Sequence, residues 1–332
     1  MKILRLIFGC LIIFSITFTA FVGKNKIVNG GIDTTPTPYK GVISIWQVDS
    51  FEGGVGSRKQ FLLKIARWYE KNNDGVLFMV TNQTEEGVKE SIKNGELPDI
   101  ISFGTGVDVS GFSQINIDRV SKGGKIGEEC FAVAWCRGGY FLIYNPNIVS
   151  NVDNIKEIEN LLVSQGQFTQ PLTALTMQGI VAKNIEVKKP MDAYVKFVEG
   201  KTPFFLATQR DIFRLKNRGY EFGAVAITEF NDLYQYAVIT STDQTKRFYA
   251  QSFLQFLLED KAQQSISSIG MFSDFTKVDY QDDCLLAMQS AKPNYTLSAF
   301  TDAKILHELQ SVSMQAVCGE KDALNKIKKL LV

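Results

Sequence analysis

The sequence predicts an α/β fold with two Rossmann-like lobes, each built on a mainly parallel sheet. Short strands and amphipathic helices alternate between residues 42 and 103, and the alternation returns between residues 203 and 228. Strand–helix–strand units with short connections usually form parallel sheets with right-handed crossovers. The 332 residues, 45% of them hydrophobic, are enough for two buried cores.

The first region opens with a strand over 42–48, which is rich in β-branched residues. A loop over 49–56 follows, and Ser57 is predicted to cap a helix because Gln60 completes a capping-box pattern. The next predicted elements are a strand over 76–80, a helix over 85–94 and a strand over 99–103, which ends at Gly104-Thr105-Gly106. Ligands of open parallel sheets bind beyond the carboxyl ends of the strands, where the loops 49–56 and 104–106 fall.

The later part of the chain is predicted to complete the second lobe and return to the first. One or two strands over 130–144 cross between the lobes, and 236–240 carries the chain back. Helices are predicted over 244–259, 261–269, 281–291, 301–316 and 321–331. The lobes are therefore expected over 41–139 plus about 245–280, and over a shorter 140–244 plus about 281–332.

The N-terminus carries a targeting signal. Lys2 and Arg5 precede an apolar run over residues 6–23, and residues 24–40 form a polar linker. A run of about 18 residues is at the lower limit for a spanning helix, so both a cleaved signal peptide and an uncleaved signal anchor remain open. Ala20 would precede the cleavage site, although Phe18 is large for the −3 position, and Cys10 follows too short an apolar stretch for a lipoprotein box.

Composition and cysteine spacing exclude several kinds of partner and site. The 36 Lys+Arg residues are balanced by 35 Asp+Glu, so no basic excess is available for nucleic acid. Cys130 and Cys136 lie in one predicted strand, about 20 Å apart, which is too far for a disulfide. Cys284 and Cys318 lie in predicted helices, and their pairing remains open.

The sequence carries few catalytic motifs. His307 is the only histidine, which removes most Ser-His-Asp, Cys-His and His-ligated metal mechanisms, and we expect an ordinary helix residue there. The acidic pairs Asp49 with Glu52 and Glu229 with Asp232 follow strands, but helix capping or hydroxyl binding explains them more simply than catalysis. The glycine-rich segment 53–59 lacks the spacing of a phosphate-binding loop. We predict no catalytic residue, metal or cofactor.

Several segments occur in an order that resembles a known family. They are the strand 42–46 with its following helix, Glu96-Leu97-Pro98-Asp99-Ile100-Ile101, Tyr140-Phe141-Leu142-Ile143-Tyr144-Asn145, Phe197-Val198-Glu199-Gly200-Lys201, and 250–258 followed by Gln263-Gln264 and Ile269-Gly270-Met271-Phe272. Over residues 41–332 the chain resembles extracellular solute-binding proteins of ABC importers, the group often called family 1, with a type II periplasmic-binding-protein fold. The chain departs from the family in its lipoprotein cysteine and in residues 150–154, where the family usually has Pro-x-Thr-Trp-Asp-Glu.

The resemblance implies an exported monomer whose lobes close at a hinge on a small solute and deliver it to ABC permease subunits. A carbohydrate is one candidate ligand, and the apolar N-terminal segment would tether the protein to the outer or periplasmic face of the membrane. Two alternatives remain open. One is a membrane-anchored surface or sensor module without a transport role, and the other is a carboxylate-dependent enzyme on the same scaffold.

The candidate ligand-binding residues follow from the resemblance and from the loops after strands. They are Trp46, Asp49, Ser50, Phe51, Glu52, Gly104, Thr105, Tyr140, Asn145, Gln209, Arg210, Phe230, Asn231, Tyr234 and Phe272. Trp46 has an alternative place in the core, because strand side chains alternate between the two faces of a sheet.

Overall fold

The computed structural model of the protein describes residues 39–150, 152, 154–292 and 295–331. The predicted targeting segment 1–23 and most of the linker therefore lie outside the described residues. Among the residues described, no helix is both long and apolar enough to cross a bilayer. The folded unit Gly41–Val332 contains two five-stranded sheets, one in each lobe.

The first sheet contains three parallel strands and two strands from later in the chain. Its members are β1 (Gly41–Val48), β2 (Val76–Gln83), β3 (Ile100–Gly104), β6 (Val133–Arg137) and β12 (Tyr234–Ile239). Their order is β2-β1-β3-β12-β6, with β1 parallel to β2 and β3, and β12 antiparallel to β3 and β6. The carboxyl ends of β1, β2 and β3 therefore meet at one edge, as the sequence predicts.

Helix α1 (Arg58–Glu70) packs its apolar face on the first lobe. The Ser57 hydroxyl accepts a hydrogen bond from the Gln60 N–H at 3.4 Å, which confirms the predicted cap. Phe61 and Ile65 are almost fully buried, and burying such side chains contributes about 1.5–3 kcal/mol each. The other first-lobe elements are α2 (Glu85–Lys93), α6 (Gln244–Leu257), α7 (Asp260–Gln264), the 3₁₀ turns Lys122–Gly124 and Ser265–Ile269, and the short ribbon of β4 (Lys125–Ile126) and β5 (Glu129–Cys130).

The second sheet repeats the arrangement of the first. Its strands are β7 (Tyr140–Tyr144), β8 (Glu157–Ser164), β9 (Val181–Lys188), β10 (Phe204–Thr208) and β11 (Gly223–Ile227). Their order is β11-β7-β10-β8-β9, with β8 parallel to β9 and β10, and β7 antiparallel to β10 and β11. Each sheet thus contains one antiparallel strand that comes directly after a strand of the other sheet: β7 follows β6, and β12 follows β11.

The prediction of a short second lobe is wrong. Residues that the sequence left unassigned form a complete unit of β8, α3 (Pro171–Met177), β9 and α4 (Pro190–Val198). Exposed Glu157 and Glu159 alternate with buried Ile158 in β8, which weakens its apolar pattern. The remaining helices of this lobe are α5 (Gln209–Asn217), α8 (Asp283–Ser290), α9 (Ala303–Val317) and α10 (Lys321–Leu330).

Three segments that cross between the lobes lie together, and residues 295–300 later return to the first lobe, where Ala299 is buried in the core. Residues 138–139 connect β6 to β7, residues 228–233 connect β11 to β12, and residues 270–272 lead from the first lobe into the core of the second. The predicted boundary places 140–244 in the second lobe. This is corrected for residues 234–239, because strand β12 pairs with β3 and β6 in the first sheet.

Candidate ligand-binding cleft

The three crossing segments are hydrogen-bonded to one another and form the hinge. The Gly138 N–H donates to the Leu233 carbonyl at 2.6 Å. Arg137 and Phe272 exchange two backbone hydrogen bonds, each 2.9 Å long. The first segment therefore lies between the other two, so a bend in one segment is transmitted to both of the others.

Arg137 supplies a buried charge at the hinge. Its side chain is 3% exposed and pairs with Asp274, which is 6% exposed. Its Nη2 also donates to the carbonyl oxygens of Met288, Gln289 and Ala291. A buried ion pair is costly unless its remaining donors are satisfied, and these carbonyls satisfy them. Arg137 was not among the residues predicted for the site, although a lone arginine in an apolar strand directly before Gly-Gly was a usable signal.

Asp232 joins two crossing segments to the second lobe. Its carboxylate accepts a hydrogen bond from the Tyr140 hydroxyl at 2.8 Å and from the Gln170 N–H at 3.0 Å. Burial raises the pKa of Asp232 to about 7, although these two donors favour the charged form. Tyr140 is fully buried in this network, so the structure places it in the hinge, not on the cavity surface.

Two cavities lie between the lobes, beyond the carboxyl ends of the parallel strands. Chamber 1 has a volume of about 520 Å³ and chamber 2 of about 430 Å³, and Asp49 and Ser50 line both. The other residues of chamber 1 are Phe51, Glu52, Gly53, Val55, Gly56, Ser57 and Arg58 from the first lobe, and Gly166, Pro190 and Arg210 from the second. Those of chamber 2 are Val48, Asn82, Gln83, Thr84, Glu85, Glu86 and Val107 from the first lobe, and Gln167 and Phe168 from the second.

Arg58 lies at the start of α1 and lines chamber 1. It is 5% exposed, and its Nε donates to Asp49 Oδ1 at 2.7 Å. Its Nη2 donates to the Phe51 carbonyl, and the guanidinium lies 4.3 Å from the Phe51 ring centroid. Within the described part of the chain, Nη1 is buried and has no hydrogen-bond partner. Arg58 therefore holds the loop after β1 and retains an unused donor.

An ion pair joins the two lobes beside chamber 1. Glu52 of the first lobe lies 3.0 Å from Arg214 and 3.5 Å from Arg210, both on α5 of the second lobe. Arg214 also contacts Asp211 at 3.1 Å, and burial raises the pKa of Asp211 to about 7. The pairing favours the arrangement in which the loop after β1 lies against the second lobe.

Gly104 is required by a close approach within the cleft. A Cβ at this position would lie 1.7 Å from the Ser50 hydroxyl oxygen, so only glycine fits beside Ser50 in this conformation. The next residue, Thr105, has its hydroxyl 3.4 Å from the Asp232 carbonyl. Gly104 and Thr105 therefore support the cleft and contact the hinge without lining either chamber, whereas Val107 of the same loop lines chamber 2.

Three further predicted residues lie in the hinge. Gln209 accepts a hydrogen bond from the Gly139 N–H at 3.0 Å, and Asn231 donates to the Gly138 carbonyl at 2.9 Å. Phe230 is 1% exposed in the same crossing segment. Of the predicted set, the residues that line the chambers are Asp49, Ser50, Phe51, Glu52 and Arg210.

Four predicted site residues lie elsewhere, and their assignment is corrected. Trp46 and Tyr234 pack on the core of the first lobe, and Phe272 is buried in the core of the second. Asn145 follows β7 at the end of the sheet remote from the hinge, where it accepts a hydrogen bond from the Asn147 N–H. Strand side chains alternate, so an aromatic near a strand end points to the core as readily as to the cleft.

The sequence analysis also missed residues that line the chambers. The segment Asn82–Glu86 spans the end of β2 and the start of α2, and the rule that selected the loops after β1 and β3 applied equally to it. Gly166, Gln167 and Phe168 follow β8, a strand that was not recognised. Pro190 begins α4, and proline at the first helical position is a known helix-start signal.

The remaining reactive groups do not converge. Glu229 is exposed while Asp232 is buried in the hinge, and Asp49 and Glu52 pair with different arginines. Among the described residues there is no cluster of three or more His, Cys, Asp or Glu that could hold a metal ion. His307 lies on α9, with its ring 6.0 Å from that of Phe168. The four described cysteines, Cys130, Cys136, Cys284 and Cys318, are free thiols.

No family model and no curated protein matches the sequence. Among solved structures, the chain is similar to the maltose/maltodextrin-binding domain MalE from Bdellovibrio bacteriovorus bound to maltotriose. The TM-score is 0.54 at 11% identity, and the match covers 88% of this chain and 98% of that chain. A likeness at this identity concerns the fold. It confirms the predicted two-lobed, type II periplasmic-binding-protein architecture.

Proposed function

We propose that the chain is an exported solute-binding protein that captures a small solute between its lobes and delivers it to an ABC import permease. The observation that carries this proposal is the pair of chambers between the lobes, at the strand ends where ligands of such sheets bind. The hinge of three hydrogen-bonded segments supports it, because it lets the lobes move as units.

A carbohydrate is the first ligand class to test. The structural neighbour was solved with maltotriose, and the chambers here offer carboxylates and hydroxyls that suit sugar hydroxyl groups. Phe51 and Phe168 supply aromatic surface. The tryptophans lie elsewhere: Trp46 packs on the core of the first lobe, Trp135 stacks on Phe61, and Trp68 lies beside two lysines.

Binding would close the lobes by shifting a population. A solute favours the closed form only by the extra contacts it makes there, and micromolar affinity corresponds to about 8 kcal/mol in total. The protein would act as a monomer, held at the outer or periplasmic face of the membrane by its N-terminal segment.

The test is a thermal-shift screen of the full chain against sugars, amino acids, polyamines and anions, with product analysis of each mixture. We expect at least one class to raise the melting temperature without chemical change, since a ligand at 100 times its Kd adds about 2.7 kcal/mol. Product formation would instead support the enzyme alternative. Absence of any shift, with no co-purifying solute, would support the surface or sensor module.

A further inference from the structure

The Arg58 guanidinium has donors that the protein does not use. Arginine presents five N–H donors, and here Nε binds Asp49 while Nη2 binds the Phe51 carbonyl. Nη1 has no acceptor within the described residues. Arg58 lines chamber 1, and its side chain is only 5% exposed. A buried charged donor without a partner is costly, so an acceptor from the chamber would be bound strongly once the loop after β1 shifts enough to expose Nη1.

Other groups around chamber 1 also favour negative charge. Helices α1, α4 and α5 begin at Arg58, Pro190 and Gln209, so three helix N-termini lie at the chamber. Helix α4 begins with a proline, which has no N–H, and the first N–H of α5 donates to the Gly139 carbonyl, so these two ends act on the chamber through their helix dipoles. Ser50 lines the same cavity, although its hydroxyl oxygen is buried against Gly104 and has no partner in the described part of the chain.

The carboxylates of chamber 1 are already engaged. Asp49 Oδ1 accepts from both Arg58 and Gln47, and Glu52 is held by Arg210 and Arg214. Chamber 2 differs, because its charged residues, Asp49, Glu85 and Glu86, are all acidic. The two chambers therefore differ in charge, and an anionic group is favoured in chamber 1 and opposed in chamber 2.

We infer that the solute carries a single carboxylate or phosphate group, which Arg58 binds in chamber 1 while the uncharged or cationic remainder lies toward chamber 2. The inference rests on the proposed function and narrows its ligand class from small solutes in general to those with one acidic group, zwitterions included. Charge-assisted hydrogen bonds to a planar guanidinium are among the strongest available to a carboxylate or phosphate.

The first test compares solutes that differ only in the acidic group. Calorimetric titration of the full chain with glucose, glucuronate and glucose 6-phosphate, and with an amine and the amino acid that adds a carboxylate to it, gives matched pairs. We expect an acidic member to bind about tenfold or more tightly than its counterpart without the acidic group. The sugar pairs distinguish carboxylate from phosphate, and the amine pair detects a zwitterion.

The second test uses variants at Asp49. Asp49→Asn removes the carboxylate that competes for Arg58, so affinity for the acidic solute should rise severalfold. Arg58→Gln removes the proposed donor, so binding of the acidic solute should be abolished. Glu128→Gln is the matched control, because it removes one acidic charge from a fully exposed side chain. Asp49→Asn also removes a negative charge from the chamber wall, so the deciding comparison adds Arg58→Gln to it: if Arg58 were only structural, the affinity of Asp49→Asn would not change.

The outcomes separate the inference from the proposed function. Tighter binding of the neutral members, for example maltotriose over any acidic solute, would overturn the inference and leave the proposed function intact. Mass spectrometry of the solute that co-purifies gives an independent result: an acidic compound supports the inference, and a neutral one contradicts it. If nothing binds and nothing co-purifies, both proposals fail.

Discussion

The Tyr140 hydroxyl donates to the Asp232 carboxylate at 2.8 Å, so side chains from two crossing segments meet inside the hinge. The same carboxylate accepts the Gln170 N–H directly before helix α3. A single buried group thus connects the strand that enters the second lobe, the segment that leaves it, and a helix start beside Phe168 in chamber 2.

The first prediction concerns pH. Aspartate in an unfolded chain has a pKa of about 3.9, whereas burial raises that of Asp232 to about 7. The folded state therefore keeps its proton to higher pH, and this stabilisation is complete below about pH 4 and lost as pH rises through about 7. We expect the stability advantage of the native chain over Asp232→Asn to shrink across that range, as measured by urea unfolding.

Asp260 provides the control for this experiment, since the hydrogen bond from Arg119 lowers its pKa. Asp260→Asn should show no such shrinkage as pH rises. If the difference in unfolding free energy between the native chain and Asp232→Asn stays constant or widens as pH rises, the raised pKa of Asp232 is contradicted.

The second prediction compares two phenylalanines on helix α6. Phe253 is fully buried, whereas Phe248 is 66% exposed. Phe253→Ala should cost about 3–5 kcal/mol of unfolding free energy, because it removes buried apolar area and leaves a cavity. Phe248→Ala should change it by less than about 0.5 kcal/mol. Denaturant midpoints measure both, and similar losses would show that α6 packs by a different face.

The third prediction concerns the ion pair between the lobes. Glu52→Gln removes the attraction of Glu52 to Arg210 and Arg214, so the solute-free chain should shift toward more open arrangements. Small-angle X-ray scattering should report a larger radius of gyration. Glu186→Gln is the matched control, because Glu186 pairs with Lys196 within the second lobe. An equal radius of gyration for both variants would show that this ion pair does not hold the lobes together.

The fourth prediction tests the contact between Gly104 and Ser50. A Cβ at 104 would lie 1.7 Å from the Ser50 Oγ and 3.0 Å from its Cβ, so Gly104→Ala must displace Ser50. We expect a loss of about 1–3 kcal/mol from overpacking. The double variant Gly104→Ala with Ser50→Gly should recover most of it in thermal melts. No recovery would mean that the alanine strains the backbone instead.

The parts of the fold that the sequence predicts are those with strong local signals. The β-branched residues of β1 and the Ser57 cap of α1 identify their elements without tertiary information. Strand β8 was not predicted because its first half is exposed on one face, where it carries Glu157 and Glu159. Charges on a half-exposed strand resemble a loop pattern, and only its neighbours in the sheet reveal the strand.

Residues of the site can be predicted from the sequence only where their position at the end of a strand places them in the cleft. Asp49 and Ser50 follow β1 and line both chambers, as the rule for parallel sheets requires. Arg58 was missed because a basic residue at a helix start is usually solvated, and its burial depends on the folded loop before it. The contact of Gln170 with Asp232 spans 62 residues, and no local pattern encodes it.

The exchange of strands β7 and β12 between the sheets has a consequence for how the chain folds. The first sheet lacks the strand between β3 and β6 until residues 234–239 are made, by which time most of the second lobe has been synthesised. The second sheet needs only residues 140–227, so this long-range pairing delays the first lobe alone and makes its folding slow. For a chain proposed to be exported, that delay is an advantage, because the first lobe stays unfolded and competent to cross a membrane until most of the chain has been made.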